Sequence, residues 1–403
     1  MRFRAVLLFF VMCITCAIAS AQAIGNYVLA PNASISGLST PFTVIDLSSG
    51  ATSSGTIGAV AVRGAQQCTG AFKVKFFHQP SSGVYQMYAE RGPFDVVFPI
   101  NVVQLTPAVS VTAGDLIGLT ILSDCASAVG QTPLLFKNAA SFAGDLAGTT
   151  GIGNSSGVIP NFALAVFGAP NSNTDIRTQT IVAAGAAQGA FGASFKTDVF
   201  LSNARTFRSS GRLVYHPEET SGTGNDPSFP FTVDPHQSLV YPNFVFDKLT
   251  RTGKGSIDVY TRMGFEAPTV TARVYDDSTG GTKGFTFDAL TERDALQPSE
   301  SATLAVPNDP SKYRINIGVR TLDGETRVDY GLFDQFGTLR SSTAKTYPAN
   351  YYQQVDFNSL FGVSFQAGDT IQIVQQAGRS FVYASVIDNT SNDPSAQIAK
   401  AVK

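Results

Sequence analysis

Tryptophan is absent from the 403 residues of this chain. Many carbohydrate-binding β-sandwiches stack sugar rings on exposed aromatic side chains, and tryptophan offers the largest such surface. Its absence weakens that interpretation and leaves tyrosine as the substitute. Tyr351 and Tyr352 form the best candidate ligand platform, and Tyr241 occupies a related place in the preceding unit. The alternative, which we favour, is that these tyrosines are ordinary strand residues packed over a sheet face.

Histidine is scarce, with three copies: His78, His216 and His236. No two of them have a metal-ligand spacing such as the i, i+4 pair of a zinc helix. Proline, glycine and serine surround His216 and His236, which predicts exposed loop positions. The chain also lacks a Gly-x-Ser-x-Gly elbow, a phosphate-binding glycine loop and a dinucleotide fingerprint, although a Ser-His-Asp triad assembled from distant strands stays open. We therefore predict no catalytic residue and no cofactor-binding residue.

Paired carboxylates, the groups that a glycosidase or lyase uses, occur in a few places. These are Asp276 with Asp277, Glu218 with Glu219, and Asp323 with Glu325, and the oxygen-rich loop from Asp388 to Asp393 is of the same kind. Each lies among turn-forming residues, so metal-free, solvated turns are the favoured interpretation. Calcium is the alternative, but it needs about six to eight oxygens, more than one such turn supplies.

Long hydrophobic runs are confined to the N-terminus. Arg2 and Arg4 precede an uncharged run over residues 5–18, and small residues follow as far as Ala23. Since roughly 20 apolar residues are needed to span a bilayer, we predict a cleaved signal peptide over residues 1–23 and no later membrane span. The expected location is secreted or extracellular, with the periplasm as the alternative.

Neither sign of charge dominates. Removal of residues 1–23 takes away two arginines and leaves 26 basic and 30 acidic residues. No basic block remains, which argues against nucleic acid and anionic membrane surfaces as partners.

The chain has four cysteines, and two of them, Cys13 and Cys16, would be removed with the signal peptide. Cys68 and Cys125 remain, and in an oxidising compartment two cysteines predict one disulfide. Two buried thiols are the alternative.

The residues that are abundant favour strands and turns: 30 Phe, 13 Tyr and 37 Gly. Long helical periodicity is absent, whereas residues 72–76 alternate apolar side chains with lysines, as a half-buried sandwich strand does. We predict an all-β chain of three tandem β-sandwich domains of jelly-roll or immunoglobulin-like type. Their bounds are 24–170, 176–287 and 299–403, with a connector over 288–298 that is the best helical candidate, a long surface loop over 144–157 and a linker over 168–173.

The last two domains look like one unit written twice. Residues 195–201 match 313–319 at an offset of 118, 255–259 match 368–372 at 113, and 272–276 match 384–388 at 112. Ordered self-similarity of this kind indicates duplication. We expect one strand order in both units, with Val274 and Val386 in equivalent strands and Asp276 and Asp388 at equivalent strand ends.

Three of these stretches also carry a resemblance. The run from Phe195 to Asn203, the strand end from Val274 to Asp277 and the connector from Asp294 to Leu296 resemble a loosely defined, largely uncharacterised group of secreted tandem β-sandwich proteins from environmental bacteria. The likeness covers roughly residues 180–395. The run from Ala113 to Leu119 is similar to jelly-roll-like modules of secreted bacterial proteins. The resemblance implies an extracellular, modular and non-enzymatic protein, and it transfers no functional residue.

These observations lead to a functional expectation. We expect a secreted binding or structural module at or beyond the bacterial cell surface, acting in adhesion or in binding an extracellular glycan or protein ligand. The alternatives are an extracellular polysaccharide-degrading enzyme, a glycosidase or lyase, and a purely architectural spacer. A concave pocket with convergent carboxylates or a histidine would favour the enzyme, and flat sheet faces would favour a module without catalysis.

Overall fold

The computed structural model describes residues 23–26, 33–35, 40–64, 70–96, 100–123, 128–132, 137–155, 157–223, 225–278, 283–322 and 324–402. Their paired strands are antiparallel and helices are short, which confirms the predicted all-β class. Most of the predicted signal peptide, together with Cys68, Cys125 and Asp323, lies outside the described residues. Within them, no helix has the length and apolarity needed to cross a membrane.

The N-terminal part contains two sheets that share one hydrophobic core. Its strands are β1 (Ile24–Asn26), β2 (Ala33–Ile35), β3 (Phe42–Asp46), β4 (Gly55–Arg63), β5 (Ala71–Ser81), β6 (Val84–Asp95), β7 (Ile100–Val111), β8 (Leu116–Ile121), β9 (Ala128–Gln131), β10 (Asn138–Ala143), β11 (Thr149–Gly151), β12 (Gly157–Pro160), β13 (Ala163–Leu164) and β14 (Val166–Ala169). One sheet has the order β1, β14, β4, β7, and the other β11, β6, β5, β8, β3, β10, β12; a small third sheet joins β13, β9 and β2. Val60 of the first sheet and Ile117 of the second are buried in the shared core.

The alternating run in β5 behaves as predicted on one face only. Phe76 and its alternate neighbours enter the core. On the other face Lys75 is also buried, because Glu90 and Asp145 hold its ammonium group at 2.7 and 2.6 Å. The strand is therefore buried on both faces in its middle, and ion pairing is what makes that tolerable for a lysine.

Two segments predicted as loop or linker contain strands instead. β11 lies within residues 144–157 and pairs with β6. Gly168 and Ala169 belong to β14, which pairs with β4. The glycine and serine content that suggested loops reflects the tight turns between these short strands.

The rest of the chain forms two repeat units. Repeat unit 1 consists of β15 (Asp175–Gln188), β16 (Ser194–Ser202), β17 (Ser209–Pro217), β18 (Ser228–Val233), β19 (Ser238–Tyr241), α1 (Phe244–Asp247), β20 (Gly253–Arg262), β21 (Thr269–Asp276) and β22 (Lys283–Asp288). Repeat unit 2 consists of β23 (Ser301–Ala305), β24 (Tyr313–Thr321), β25 (Thr326–Phe333), β26 (Leu339–Tyr347), β27 (Tyr352–Asp356), α2 (Phe357–Phe361), β28 (Thr370–Ala377), β29 (Ser380–Asp388) and β30 (Pro394–Ile398). In each unit a short helix follows the fifth strand.

The two repeat units have one strand order. In unit 1, β15, β20, β17 and β18 are neighbours, and β19, β16, β21 and β22 are neighbours. In unit 2 the corresponding orders are β23, β28, β25, β26 and β27, β24, β29, β30. The difference is that the long β15 also pairs with β16 at its end, through Ala187 and Phe195. The expected single strand order of the two units is therefore confirmed.

Two of the three predicted offsets agree with the strand registers. Phe195 lies opposite Asp276 in unit 1, and Tyr313 lies opposite Asp388 in unit 2, so offsets of 118 and 112 superpose the pairs. Val274 and Val386 accordingly occupy equivalent strands.

The third offset is wrong by one residue. Ile257 lies opposite Tyr215, and Ile371 lies opposite Leu332, all four in the cores of their units. The equivalent isoleucines are 114 residues apart, whereas the predicted offset of 113 pairs Ile257 with the half-buried Thr370. A slip of one residue exchanges the two faces of a strand, and only burial reveals it.

The predicted helical connector is reduced to a single 3-10 turn at Glu292–Asp294, capped by Thr291 and Asp294. Its flanks are extended, because Leu290 pairs with Thr180 of unit 1 and Leu296 pairs with Ser380 of unit 2. These backbone bonds take up the groups that a longer helix would use. Leu290 packs at the junction and Leu296 enters the core of unit 2.

Candidate functional site

A cavity of about 560 Å³ lies where the two repeat units meet, and we call it the inter-unit cavity. Unit 1 contributes the end of β15, the hairpin into β16 and parts of β21 and β22. Unit 2 contributes the outer face of β24, β27 and β29. The volume falls within the roughly 300–1,000 Å³ typical of small-ligand sites.

The wall from unit 2 is built from cross-strand rows. Asn316 lies opposite Ser385 on one side and Asp356 on the other. In the next row Gly318 lies opposite Gln354, and in both rows the side chains point away from the core of unit 2, because alternate residues of a strand share a face. The rows place amide, hydroxyl and carboxylate groups side by side.

Gly318 allows the ring of Tyr383 to lie across β24. A Cβ atom at position 318 would come within 2.1 Å of that ring. The Tyr383 hydroxyl donates to Gln354 Oε1 at 2.7 Å and lies 2.8 Å from the Tyr352 hydroxyl. Burial raises the pKa of both tyrosines, so both hydroxyls stay protonated at neutral pH. The amide oxygen of Gln354 is thereby engaged, and its nitrogen is left for other partners.

The charged side chains in the cavity lining are all hydrogen-bonded within the protein, and one of them, Lys254, is bonded to an opposite charge. They are Lys254, bonded to Glu218 at 2.8 Å; Arg314, bonded to Asn389 and Asn392 at 3.2 and 3.0 Å; and Asp356, bonded to the Ser359 nitrogen at 3.0 Å. Hydrogen bonds from Ser359, which cap α2, lower the pKa of Asp356. Asn316 and Ser385, by contrast, make no side-chain hydrogen bond within the described part of the chain. The polar side chains of the unit 2 wall that make no hydrogen bond there are therefore uncharged.

The wall from unit 1 is mainly apolar. Gln188 and Lys254 are its polar side chains, and the others are those of Ala183, Ala184, Ala187, Ala190, Phe191, Phe195, Val274 and Phe285. Phe191 has a φ of 56° and is 71% exposed at the hairpin tip. The guanidinium of Arg314 lies 5.3 Å from its ring, and Asn392 Nδ2 donates to its carbonyl at 3.2 Å. Unit 2 thus holds the hairpin tip at the edge of the cavity.

A buried ionic cluster lies in the row after Gly318. Arg320 of unit 2 donates to Asp258 of unit 1 at 2.7 Å, and His216 Nε2 lies 3.0 Å from the same carboxylate oxygen. Asp226 binds the other ring nitrogen of His216. Burial raises the pKa of Asp258, but Arg320 and His216 outweigh this and hold it well below its usual range. For His216, burial lowers the pKa because it disfavours the charged imidazolium. The carboxylates of Asp258 and Asp226 outweigh this effect, so the pKa of His216 is raised overall.

His216 is therefore not the exposed loop residue that its neighbours in sequence predicted. It is 1% exposed at the end of β17, opposite Ser256. The Pro217 turn after it contacts unit 2 through two hydrogen bonds. The Glu218 carboxylate accepts one from the backbone nitrogen of Gln354 at 3.0 Å, and the backbone nitrogen of Glu219 donates one to the Tyr352 carbonyl at 2.8 Å. The carboxylate pair predicted to be a solvated turn is an inter-unit contact.

Asp276, Asp277, Glu325 and Asp388 do not line the cavity. Asp276 is fully buried, contrary to the solvated turn predicted. Its carboxylate accepts a hydrogen bond from the backbone nitrogen of Ser194 at 2.7 Å. Asp388 accepts the nitrogens of Thr390 and Ser391 within its turn, as the sequence indicated. In the described part of the chain, no group of three or more His, Cys, Asp or Glu side chains could hold a metal ion.

The two remaining histidines lie elsewhere. His236 is exposed in a turn with a φ of 58°, as predicted. His78 is partly exposed on β5, where its ring stacks on Tyr88 with 4.0 Å between centroids and Nδ1 lies 2.7 Å from Asp115.

The three candidate platform tyrosines have different surroundings. Tyr241 packs against Phe229 and other core residues of unit 1, and Tyr351 packs beside Tyr347 in unit 2. Tyr352 is 1% exposed but lines the inter-unit cavity. Tyr241 lies opposite Val199 in unit 1, and Val355 lies opposite the equivalent Ile317 in unit 2. The counterpart of Tyr241 is therefore Val355, and not Tyr351 or Tyr352.

Comparisons with known proteins add little. No family model matches this chain, and no curated protein matches it. Among solved structures, dimeric latent PorU from Porphyromonas gingivalis aligns with 90% of this chain and 34% of its own, at 13% identity and a TM-score of 0.17. This chain therefore spans about a third of that structure, and so low a score carries no argument about fold or function.

Proposed function

We propose that this protein is a secreted, non-enzymatic binding module that acts at or beyond the bacterial cell surface and takes an extracellular glycan or protein group into the inter-unit cavity. One observation carries the proposal: a cavity of about 560 Å³ at the junction of two repeats, with a mainly apolar wall from unit 1 and most of the hydrogen-bonding groups on the wall from unit 2. Ligand sites commonly combine apolar lining with a few polar groups that set orientation.

Binding without catalysis is supported by the state of the titratable groups. Acid–base catalysis needs a side chain that can exchange a proton with the ligand. Both ring nitrogens of His216 are engaged by Asp226 and Asp258, and Asp356 in the cavity lining caps a helix. His216 and Asp356 therefore make structural hydrogen bonds rather than contacts with a ligand.

A ligand-binding role is also favoured over a purely architectural spacer. A spacer needs only a closed, well-packed junction between its units. Here the packed part of the junction, around Val182 and Phe381, lies beside an open cavity with Phe191 exposed at its edge. Leaving that volume unfilled sacrifices packing that a spacer could use.

Blocking the cavity tests the proposal. Ser385 is 8% exposed and lines the cavity, so Ser385→Phe should fill it, whereas Ser342→Phe makes the same change on the exposed edge strand β26. The purified protein and both variants are applied to a glycan array and to extracellular protein extracts. We expect ligand retention by the protein and by Ser342→Phe, and loss of retention by Ser385→Phe at unchanged thermal stability. Equal retention by all three would refute the cavity as the site.

A substrate panel tests the non-enzymatic part. We expect no product from polysaccharide, ester or peptide substrates, with or without added calcium. Turnover that is lost in both His216→Ala and Glu218→Gln would instead support a polysaccharide-degrading enzyme with its active site at the Pro217 turn.

A further inference from the structure

We infer that the inter-unit cavity selects an uncharged saccharide, with the apolar face of a sugar ring against repeat unit 1 and its hydroxyl groups bonded to repeat unit 2. This inference rests on the proposed function, from which it takes the cavity as the ligand site, and it adds the chemical class of the ligand.

Charge is the first argument. The charged residues of the lining are Lys254, Arg314 and Asp356, and each has a partner within the protein. Lys254 is neutralised by Glu218, and the two remaining charges, Arg314 and Asp356, are opposite in sign, so the lining carries no excess charge. A phosphate, a carboxylate or an ammonium group entering the cavity would lose its hydration and meet a like charge as well as an opposite one, which is costly in a partly enclosed site. An uncharged ligand avoids that cost.

The free polar groups are the second argument. Asn316 offers both an amide donor and an amide acceptor, and Ser385 offers a hydroxyl. Gln354 offers its side-chain amide nitrogen, because its amide oxygen already accepts a hydrogen bond from Tyr383. Sugar hydroxyls both donate and accept, so they can satisfy this mixed set, whereas an apolar ligand would leave it without partners.

The asymmetry of the walls is the third argument. The wall from unit 1 consists mostly of alanine, phenylalanine and valine side chains, with Phe195 and Phe285 among them. A pyranose ring has C–H groups on its faces and hydroxyls around its edge, so it can cover apolar carbon while bonding sideways. The wall from unit 1 and the wall from unit 2 fit those two surfaces respectively.

Isothermal titration measures this selectivity directly. The probes are methyl glycosides of neutral hexoses, the matching hexuronic acids and straight-chain alcohols, each titrated into the full-length purified protein. We expect saturable binding of at least one neutral glycoside, with the matching uronic acid at least roughly tenfold weaker and the alcohols showing none. Equal or tighter binding of the acid, or binding of the alcohols alone, would overturn the ligand class.

Variants then locate the contacts. Asn316→Ala removes one free amide and should weaken the neutral glycoside by roughly tenfold, as the loss of one buried hydrogen bond implies. Asn308→Ala, an exposed asparagine of the same repeat unit, is the control and should bind like the unchanged protein. Equal affinity of both variants would overturn the inferred contact, provided that their thermal unfolding is unchanged.

The cavity-blocking variant separates this inference from the proposed function. If Ser385→Phe abolishes binding of a charged or apolar probe, the cavity is the site and only the saccharide class fails. If Ser385→Phe leaves glycoside binding intact, the site proposed for the function fails, and this inference fails with it.

Discussion

Arg320 of repeat unit 2 donates a hydrogen bond to Asp258 of repeat unit 1 across 2.7 Å, and both side chains are completely buried. Asp258 also accepts from Thr180 at 2.8 Å, and Arg320 also donates to Asn350. Such partners offset the cost of desolvating the two charges, although Arg320 Nε is buried with no hydrogen-bond partner among the described residues. The junction of the repeats is therefore a specific interface held by buried charged groups.

Removing one partner of this pair should destabilise the protein strongly. In Arg320→Met the Asp258 carboxylate stays buried without its cation, and we expect a loss of about 3–5 kcal/mol in the free energy of unfolding, measured with urea. Arg208→Met, which breaks the exposed pair with Asp234, should cost at most about 1 kcal/mol. Similar losses in the two variants would mean that the buried pair does not hold the repeats together.

The stability of the protein should fall as the pH rises above neutrality. Burial lowers the pKa of His216, but Asp258 and Asp226 outweigh it and raise the pKa above 6.5, against a further lowering by Arg320. A raised folded-state pKa contributes stability that is complete below pH 6.5 and is lost as the pH rises through the folded value. The lowered pKa values of Asp226 and Asp258 act only in acid, so they do not disturb this window.

Urea unfolding at several pH values checks this dependence. In His216→Asn the decline in unfolding free energy above pH 6.5 should be smaller than in the unchanged protein. His236→Asn, which removes a histidine from an exposed turn, is the control for the substitution itself. A decline of the same size in His216→Asn would rule out the cluster as its source.

Local patterns in the sequence were enough to predict much of the fold. Alternation of apolar residues and the positions of turn residues predicted an all-β chain and a duplicated unit, and the registers of β16 with β21 and of β24 with β29 agree with those offsets. Such signals are local, because each strand shows its buried face within a few residues. The one-residue error near Ile257 arose because matching letters does not report which face is buried.

The candidate site could not be predicted in the same way. Asp258 and Arg320 are 62 residues apart, and nothing in the residues around either indicates that they meet. His216 lies beside a Pro-Glu-Glu turn that is typical of a surface, yet it is 1% exposed and the turn after it contacts unit 2. The cavity is likewise a product of two units packing together, so its lining is scattered over residues 183–394.

The two cysteines that follow the predicted signal peptide lie outside the described residues, so their disulfide stays a prediction. The protein recovered from the culture medium should begin at Ile24, and Cys68 and Cys125 should resist alkylation under denaturing conditions until reductant is added. Mass spectrometry measures both. Labelling without reductant would show two buried thiols instead. If the bond exists, Cys68→Ser should lower the unfolding free energy by about 4 kcal/mol, the value expected for a loop of this length.

Gly318 should be intolerant of even one added methyl group. A Cβ atom there would lie 2.1 Å from the ring of Tyr383, so the ring must move into the inter-unit cavity and give up its hydrogen bonds to Gln354 and Tyr352. We expect Gly318→Ala to cost about 1–3 kcal/mol in urea unfolding, as overpacking of a buried site does. Gly153→Ala, where no atom lies within 4 Å of the added Cβ, should be close to neutral.

Tyr383→Phe separates the ring from its hydroxyl group. This variant keeps the ring across Gly318 and loses only hydrogen bonds, so it should cost about 1 kcal/mol and leave the cavity open. Because the chain has no tryptophan, the near-ultraviolet circular dichroism reports on its tyrosines and phenylalanines, and Gly318→Ala should change that spectrum while Gly153→Ala should not. An unchanged spectrum with unchanged stability in Gly318→Ala would show that the Tyr383 ring does not pack on this glycine. The ring would then not form this part of the cavity wall.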